Sequence, residues 1–186
     1  RHASFDGLVY IASYGDLTNL FGTNAELGAQ HFIQYGYREG RHVTFDPYTY
    51  VASHGDLINL FGTNADLGAA HFITYGRGEG RQSTFDSIDY LAANPDLIDL
   101  FGTNGSLGAR HYAEYGFHEG RQTTFDGLKY IASYGDLIDV FGANDHGGAL
   151  HFVRYGHHEG RTTTFDPAAY LARYGDLQAL FGNDLD

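Results

Sequence analysis

The sequence predicts an all-α protein made of tandem 40-residue repeats, each with three short helices, that stack into a solenoid or superhelical array. The same pattern returns every 40 residues without a slip, and 17 of the 40 positions are identical in all four complete repeats. Each repeat also carries helix-capping and helix-ending residues and lacks the alternating pattern of a half-buried strand. The predicted array covers 1–186 as a single domain, with repeats 1–40, 41–80, 81–120 and 121–160 and a partial repeat 161–186.

The first helix of each repeat is predicted to begin after an aspartate. Asp6 is a good N-cap because its carboxylate can accept the free N–H groups of the first helical turn. Pro47 and Pro167 follow the equivalent aspartates, as expected for the first position of a helix. Gly15 is predicted to end this helix. The five predicted caps are Asp6, Asp46, Asp86, Asp126 and Asp166.

Two further helices complete the predicted repeat. The second ends at Gly22, and the third begins after Asn24 or Thr23, runs to Tyr35 and ends at Gly36. Isolated helices shorter than about 12–15 residues are marginal in water, so packing within and between repeats must stabilise them. A second aspartate series is predicted to cap the second helices: Asp16, Asp56, Asp96, Asp136 and Asp176.

One face of the third helix carries a glycine and a histidine that recur in every complete repeat. Glycine in a helix costs about 1 kcal/mol relative to alanine, so Gly28 predicts the close approach of another backbone, that of the next repeat. We expect His31 to form a structural hydrogen bond with a carbonyl or a carboxylate such as Glu39; a metal or haem site in every repeat is the alternative. These positions are Gly28, Gly68, Gly108 and Gly148, and His31, His71, His111 and His151.

Every junction between repeats reads Glu-Gly-Arg. We expect the arginine to pair with the glutamate, or with carbonyl groups at a helix end, and so to join adjacent repeats. Binding of a polar ligand is the alternative. The residues are Glu39, Glu79, Glu119 and Glu159, with Arg41, Arg81, Arg121 and Arg161.

The composition disfavours several classes of partner. The formal net charge is −12 and Lys129 is the single lysine, so neither nucleic acid nor an anionic membrane surface is an expected partner. No apolar run approaches the roughly 20 residues that a membrane-spanning helix needs, so we expect no membrane insertion. The absence of cysteine excludes disulfides, iron–sulfur clusters and cysteine nucleophiles.

The motifs that usually indicate catalysis or cofactor binding are also missing. The sequence has no nucleophile elbow, P-loop, dinucleotide fingerprint or zinc-protease motif, so we do not expect an enzyme. No cofactor or metal site is predicted. Calcium remains an alternative explanation for the two aspartate series, although they lack the dense spacing of a calcium loop. The many tyrosine and phenylalanine side chains leave a glycan-binding groove as a second alternative.

The motifs resemble a known type of repeat. The segment 90–97 reads YLAANPDL, and the block 111–121 reads HYAEYGFHEGR. Both are similar to the tandem repeats of large secreted and surface proteins of bacteria, which often also carry haemolysin-type calcium-binding repeats. The resemblance implies an exported bacterial protein with an adhesion, matrix or spacer role and no catalytic residues. The calcium-binding nonapeptide of the companion repeats is absent here, so the resemblance implies no calcium site.

These observations lead to one expected function and one alternative. We expect a non-catalytic structural or adhesive repeat module, secreted or placed on the bacterial cell surface. The partial repeat 161–186 has two predicted helices and lacks the third, so we also expect end-to-end self-association in which a second copy completes it. The alternative is a ligand-binding module with one glycan or metal site per repeat.

Overall fold

A computed structural model describes residues 5–182, so the predicted repeat start at Arg1 and the end of the partial repeat at Asp186 lie outside the described residues. Every regular element within 5–182 is helical, which confirms the all-α class. The helices are α1 (Gly7–Ala12), α2 (Gly15–Phe21), α3 (Ala25–His31), α4 (Pro47–Ala52), α5 (Gly55–Phe61), α6 (Ala65–His71), α7 (Ser87–Ala93), α8 (Ile98–Phe101), α9 (Gly105–His111), α10 (Phe117–Glu119), α11 (Gly127–Ala132), α12 (Gly135–Phe141), α13 (Asp145–His151), α14 (Pro167–Arg173) and α15 (Gly175–Phe181).

The third helix of each complete repeat does not stop at its histidine. It continues into a π-helical turn, in which a backbone N–H bonds to the carbonyl five residues earlier, as Tyr37 N donates to Phe32 O at 2.9 Å. These turns are Phe32–Gly36, Phe72–Gly76, Tyr112–Gly116 and Phe152–Gly156. The π-helical turn ends at the predicted glycine in the first, second and fourth repeats, but in the third repeat α10 follows Gly116 directly, so the predicted end is wrong there.

Local side-chain chemistry explains where most helices begin. The carboxylate of Asp6 accepts the N–H groups of Leu8 and Val9 at 2.9 and 3.1 Å. Asn24 caps α3 by accepting the N–H of Leu27 at 3.1 Å. Asp46, Asp126 and Asp166 cap α4, α11 and α14 in the same way, and Asp86 directly precedes α7.

One predicted helix boundary is wrong. Gly15 is the first residue of α2 and does not end α1, which stops at Ala12. Pro95 occupies the equivalent position in the third repeat and begins a 3-10 turn, Pro95–Leu97, just before α8. Both residues therefore open the second helical segment, a place that proline tolerates because its missing N–H has no helical partner there.

The chain divides into two compact units, with two boundaries inside the third repeat and one at the start of the fourth. The first unit comprises Arg1–Ser87 and Asn104–Arg121, and the second comprises Ile88–Thr103 and Gln122–Asp186. In the first unit, α1 packs against α2 and α3 of its own repeat and also against α6 of the next repeat. Helix α4 packs in the same manner against α5, α6 and α9. Each of these first helices therefore lies between two third helices that are successive in sequence.

The core of the first unit combines residues from successive repeats. Tyr10, Ile11 and Leu17 form one buried cluster, and Ile73 of the second repeat packs against it. The corresponding cluster of the second repeat includes Ala113 of the third repeat. In the second unit, α11 packs against α12 and α13, and α14 packs against α15.

Candidate functional site

A buried tyrosine lies at the centre of each complete repeat. The ring of Tyr10 meets Phe32 edge to face at 5.3 Å between centroids, and Phe32 stacks on Phe5 at 4.4 Å. The second and fourth repeats contain the same three-ring arrangement. The fully buried members of the tyrosine series are Tyr10, Tyr50, Tyr90 and Tyr130.

The hydroxyl group of this tyrosine is the partner of the recurring histidine. Tyr50 Oη and His71 Nδ1 share a hydrogen bond of 2.9 Å, and the first and fourth repeats form the same bond at 3.1 and 3.0 Å. The expected partner Glu39 is therefore wrong, because the bond of His31 is to Tyr10 and the Glu39 carboxylate pairs with Arg41. Burial raises the pKa of Tyr50 to about 12, so this hydroxyl stays protonated at neutral pH.

The same tyrosine explains an invariant glycine. A Cβ atom added to Gly76 would overlap Tyr50 Oη and would lie 3.0 Å from Tyr50 Cζ. Gly36 and Gly156 have the same relation to the tyrosines of their own repeats. Glycine therefore leaves the space in which the tyrosine hydroxyl reaches the histidine.

The close approach predicted at the mid-helix glycine exists, but its partner is different from the predicted one. A Cβ atom on Gly28 would collide with Gly7 O and with the side chain of Ile11, both in the first helix of the same repeat. The expected contact with the next repeat is therefore wrong here, because α1 lies across this face of α3. Gly68 and Gly148 likewise approach the first helices of their own repeats, and Gly108 is buried. In the first, second and fourth repeats the histidine bonds are also internal to a repeat, so in these repeats the contacts of neither series join repeats.

The junction arginine forms a bridge between two carboxylates. Arg41 Nη1 lies 2.8 Å from Asp16 Oδ2, its Nε lies 2.7 Å from Glu39 Oε2, and its guanidinium group lies 4.9 Å from the Tyr14 ring centroid. Arg81 and Arg161 bind the equivalent aspartates and glutamates at 2.6–2.9 Å. Arg121 binds Glu119 at 2.6 Å. The arginine thus ties the start of one sequence repeat to the second helix of the repeat before it.

The role predicted for the second aspartate series is wrong. Asp16 is the second residue of α2, the N-cap is Tyr14, and no side chain caps this helix. The carboxylate turns to Arg41 because a charged guanidinium group is a stronger partner than a backbone N–H. Asp56, Asp96, Asp136 and Asp176 also lie inside their helical segments and are not N-caps. Burial raises the pKa of Asp16, but the hydrogen bonds and charge of Arg41 outweigh burial and hold the pKa below its ordinary value.

A second contact joins successive repeats and was not predicted from the sequence. Ser13 Oγ accepts the N–H groups of Thr44 and Phe45, each at 3.0 Å, in the extended segment that leads to α4. The hydroxyl of Tyr14 accepts the N–H of His42 and donates to its carbonyl, both at 2.8 Å. Three of the four complete repeats have serine at the position of Ser13. This recurrence is the feature of the sequence that could have indicated the contact.

One recurring aromatic series lies on the surface, near the end of the third helix. Tyr35, Tyr75, Tyr115 and Tyr155 are between 50% and 59% exposed. Each ring lies 5.4–5.7 Å from the histidine of its own repeat. In the fourth repeat the ring borders a cavity of about 280 Å³, which is also lined by Phe141, Leu150, His151 and Arg154. A half-exposed ring beside polar groups can stack on an apolar face of a small ligand.

The chain was compared with protein-family models, with curated proteins and with solved structures, and none of the three comparisons found a match. Among residues 5–182, no helix combines the length and the apolar character needed to cross a bilayer.

Proposed function

We propose that this chain is a non-catalytic structural module, a solenoid that acts as a spacer or adhesive segment in an exported bacterial protein. One observation carries the proposal: the polar groups that recur in every repeat bind one another. The histidine binds the buried tyrosine, the arginine binds two carboxylates, and the first aspartate binds a helix N-terminus. Export and a bacterial surface location rest on the sequence resemblance.

The packing within the first unit supports the solenoid. Helices α1 and α4 each lie between the third helix of their own repeat and that of the next repeat. If the remaining repeats follow this rule, each repeat adds one layer to a continuous core, and length grows linearly with the number of repeats. Such an array holds its two ends at a fixed separation.

Removal of one whole repeat tests the spacer. Deletion of 41–80 keeps the register of every remaining motif, whereas deletion of 41–60 removes half a repeat and serves as the control. Small-angle X-ray scattering should show a shorter particle with unchanged cross-section after the full deletion, and circular dichroism should show a similar helix content per residue. A full deletion that unfolds the chain as badly as the half deletion would contradict the proposal.

End-to-end self-association belongs to the same proposal. Tyr170 occupies the repeat position at which Tyr10 and Tyr50 are fully buried. Its own side chain is 46% exposed. The third helix of a second copy could cover this face as third helices do elsewhere in the chain. Sedimentation velocity over a concentration series should show oligomers that Tyr170→Glu weakens. A strict monomer at high concentration would reject self-association and leave the spacer intact.

The half-exposed tyrosines favour one alternative, a glycan-binding module with one site per repeat. Calorimetric titration with a panel of oligosaccharides should then give a stoichiometry near four, one for each tyrosine of the series. Tyr75→Ala should remove about one site. Tyr37→Ala is the matched control because Tyr37 is also exposed, but no other complete repeat has a tyrosine at the equivalent position.

A further inference from the structure

Three potential metal ligands meet at one place in the second compact unit. Asp99 lies in α8, while His157 and His158 directly follow the π-helical turn of the fourth repeat. One ligand atom from each of the three side chains lies within 4.8 Å of the other two. The Oδ1 atom of Asp99 is 3.9 Å from His157 Nε2 and 3.8 Å from His158 Nδ1.

The residues at this place break the 40-residue pattern. In the first unit, the residue after the π-helical turn lies against the second helix of the preceding repeat: the Arg77 side chain is close to Gly15, and Phe117 is close to Gly55. The chain therefore brings positions 37 and 38 of one repeat toward the second helix of the repeat before it. The residues equivalent to Asp99 in the first two repeats are Asn19 and Asn59, and those equivalent to the histidine pair in the second and third repeats are Arg77-Gly78 and Phe117-His118. Among these pairs of positions, a carboxylate meets two imidazoles only where Asp99 lies near His157 and His158. The repeat fold therefore does not require this combination of side chains.

The backbone holds one of the three ligands in position. The N–H of His157 donates to Phe152 O at 2.9 Å, and its carbonyl accepts the N–H of Gly160 at 3.1 Å. The His157 ring also packs beside Phe152, with 6.2 Å between centroids. The side chains of Asp99 and His158 are 67% and 60% exposed, so both can rotate. Tetrahedral zinc with bonds of about 2.0–2.2 Å separates its ligand atoms by about 3.4 Å. The Asp99 oxygen must therefore approach each imidazole nitrogen by about 0.5 Å. The two imidazole nitrogens, which lie within 4.8 Å of each other, must approach by at most about 1.4 Å.

We propose that Asp99, His157 and His158 bind a divalent transition-metal ion of the zinc type. Two imidazole nitrogens and one carboxylate oxygen provide three ligands, and water completes a four-coordinate site. Nitrogen ligands select transition metals over calcium and magnesium, which prefer oxygen. The ion joins the second helix of the third repeat to the turn that ends the fourth repeat, and the acidic chain attracts it electrostatically.

Titration of the full chain, prepared without a polyhistidine tag, with ZnCl2 tests the site. Calorimetry should show one saturable site, and Co²⁺ in place of Zn²⁺ should give the intense visible absorption of four-coordinate cobalt. Asp99→Asn, His157→Asn and His158→Gln should each weaken binding by at least about tenfold. Zinc should also raise the thermal unfolding midpoint of the parent chain but not that of Asp99→Asn.

Two variants at equivalent positions serve as controls. Asp139→Asn matches Asp99→Asn, and His118→Gln matches His158→Gln; both should leave zinc affinity unchanged. Circular dichroism of every variant should match that of the parent chain, since these side chains are largely exposed or lie in turns. The proposal is overturned by the absence of saturable binding, by undiminished affinity in the three ligand variants, or by a stoichiometry near four, which would point instead to the recurring histidines.

Discussion

Gly76→Ala provides a direct test of the contact between the invariant glycine and the buried tyrosine. The new methyl group would overlap Tyr50 Oη and would lie 3.0 Å from Tyr50 Cζ and 3.5 Å from His71 Nδ1. Tyr50 is fully buried and bonded to the histidine, so it cannot swing away without losing that bond. Overpacking of this kind costs about 1–3 kcal/mol of unfolding free energy.

Tyr50→Phe removes the atom that the new methyl group would strike. On its own, this change removes the 2.9 Å bond to His71 and leaves Nδ1 without that partner, at a cost of about 1–3 kcal/mol. In the double variant the methyl group occupies the space of the lost hydroxyl, and the ring needs to shift by only a few tenths of an ångström. The combined cost should therefore fall short of the sum of the two single costs by about 1–2 kcal/mol.

Equilibrium urea unfolding, followed by far-ultraviolet circular dichroism, measures the four free energies of this cycle. Tyr170→Phe is the matched control because this tyrosine is half exposed, so its change should stay within about 0.5 kcal/mol. Additive costs in the double variant would refute the reasoning, since they would mean that the glycine and the hydroxyl do not share one space.

Three further predictions concern the contacts between repeats and their pH dependence. Ser53→Ala should lower the free energy of unfolding by about 1–2 kcal/mol, because two backbone N–H groups lose their acceptor; urea unfolding measures this. The folded-state pKa of Asp16 is lowered, so its pair with Arg41 contributes stability above about pH 4 that is lost as the pH falls further. Arg41→Gln should therefore flatten the acid side of a plot of melting temperature against pH. Burial lowers the pKa of His54, so the unfolded chain takes up a proton first and stability falls below about pH 6.5. His54→Tyr, which copies the residue at position 14, should weaken that fall in melting curves between pH 7.5 and 5.

The sequence predicts the local part of the fold well. Asp6 and Asn24 cap helices because the donors they satisfy lie two or three residues away, and such spacing is visible in a linear sequence. Pro47 begins a helix for an equally local reason. The helical class follows from the same short-range chemistry.

The partners of the recurring polar residues are not local, and here prediction from sequence fails. Asp16 has a suitable residue type and place for a cap, yet its carboxylate binds Arg41, 25 residues later. His31 binds Tyr10, 21 residues earlier. A strict repeat makes this difficulty worse, since a contact inside one repeat and a contact with the next repeat leave the same periodic trace. Gly28 shows this ambiguity: its recurrence indicates a close neighbour but does not indicate which helix provides it.

Departures from the period carry a different kind of information. Asp99 and His157 stand at different positions of different repeats, so their pairing is not recognisable until the packing of successive repeats is known. Once the fold pairs those positions, their chemistry stands apart from the amide, arginine and phenylalanine side chains found at equivalent places. In such an array, a ligand site can be recognised by comparing two positions that lie in successive repeats and that the packing brings together.

The half-exposed tyrosine at position 35 does not fit a simple division between invariant structural residues and variable functional ones. It is identical in every complete repeat, as core residues are, but about half of each ring faces solvent. Packing beside the histidine explains the inner half of the Tyr75 ring, whereas the outer half faces solvent. If stability alone retains this residue, Tyr75→Ala should destabilise the chain by an amount that its buried half explains, about 1–2 kcal/mol. A smaller loss of stability, together with a lost glycan site, would instead favour the binding module over the spacer.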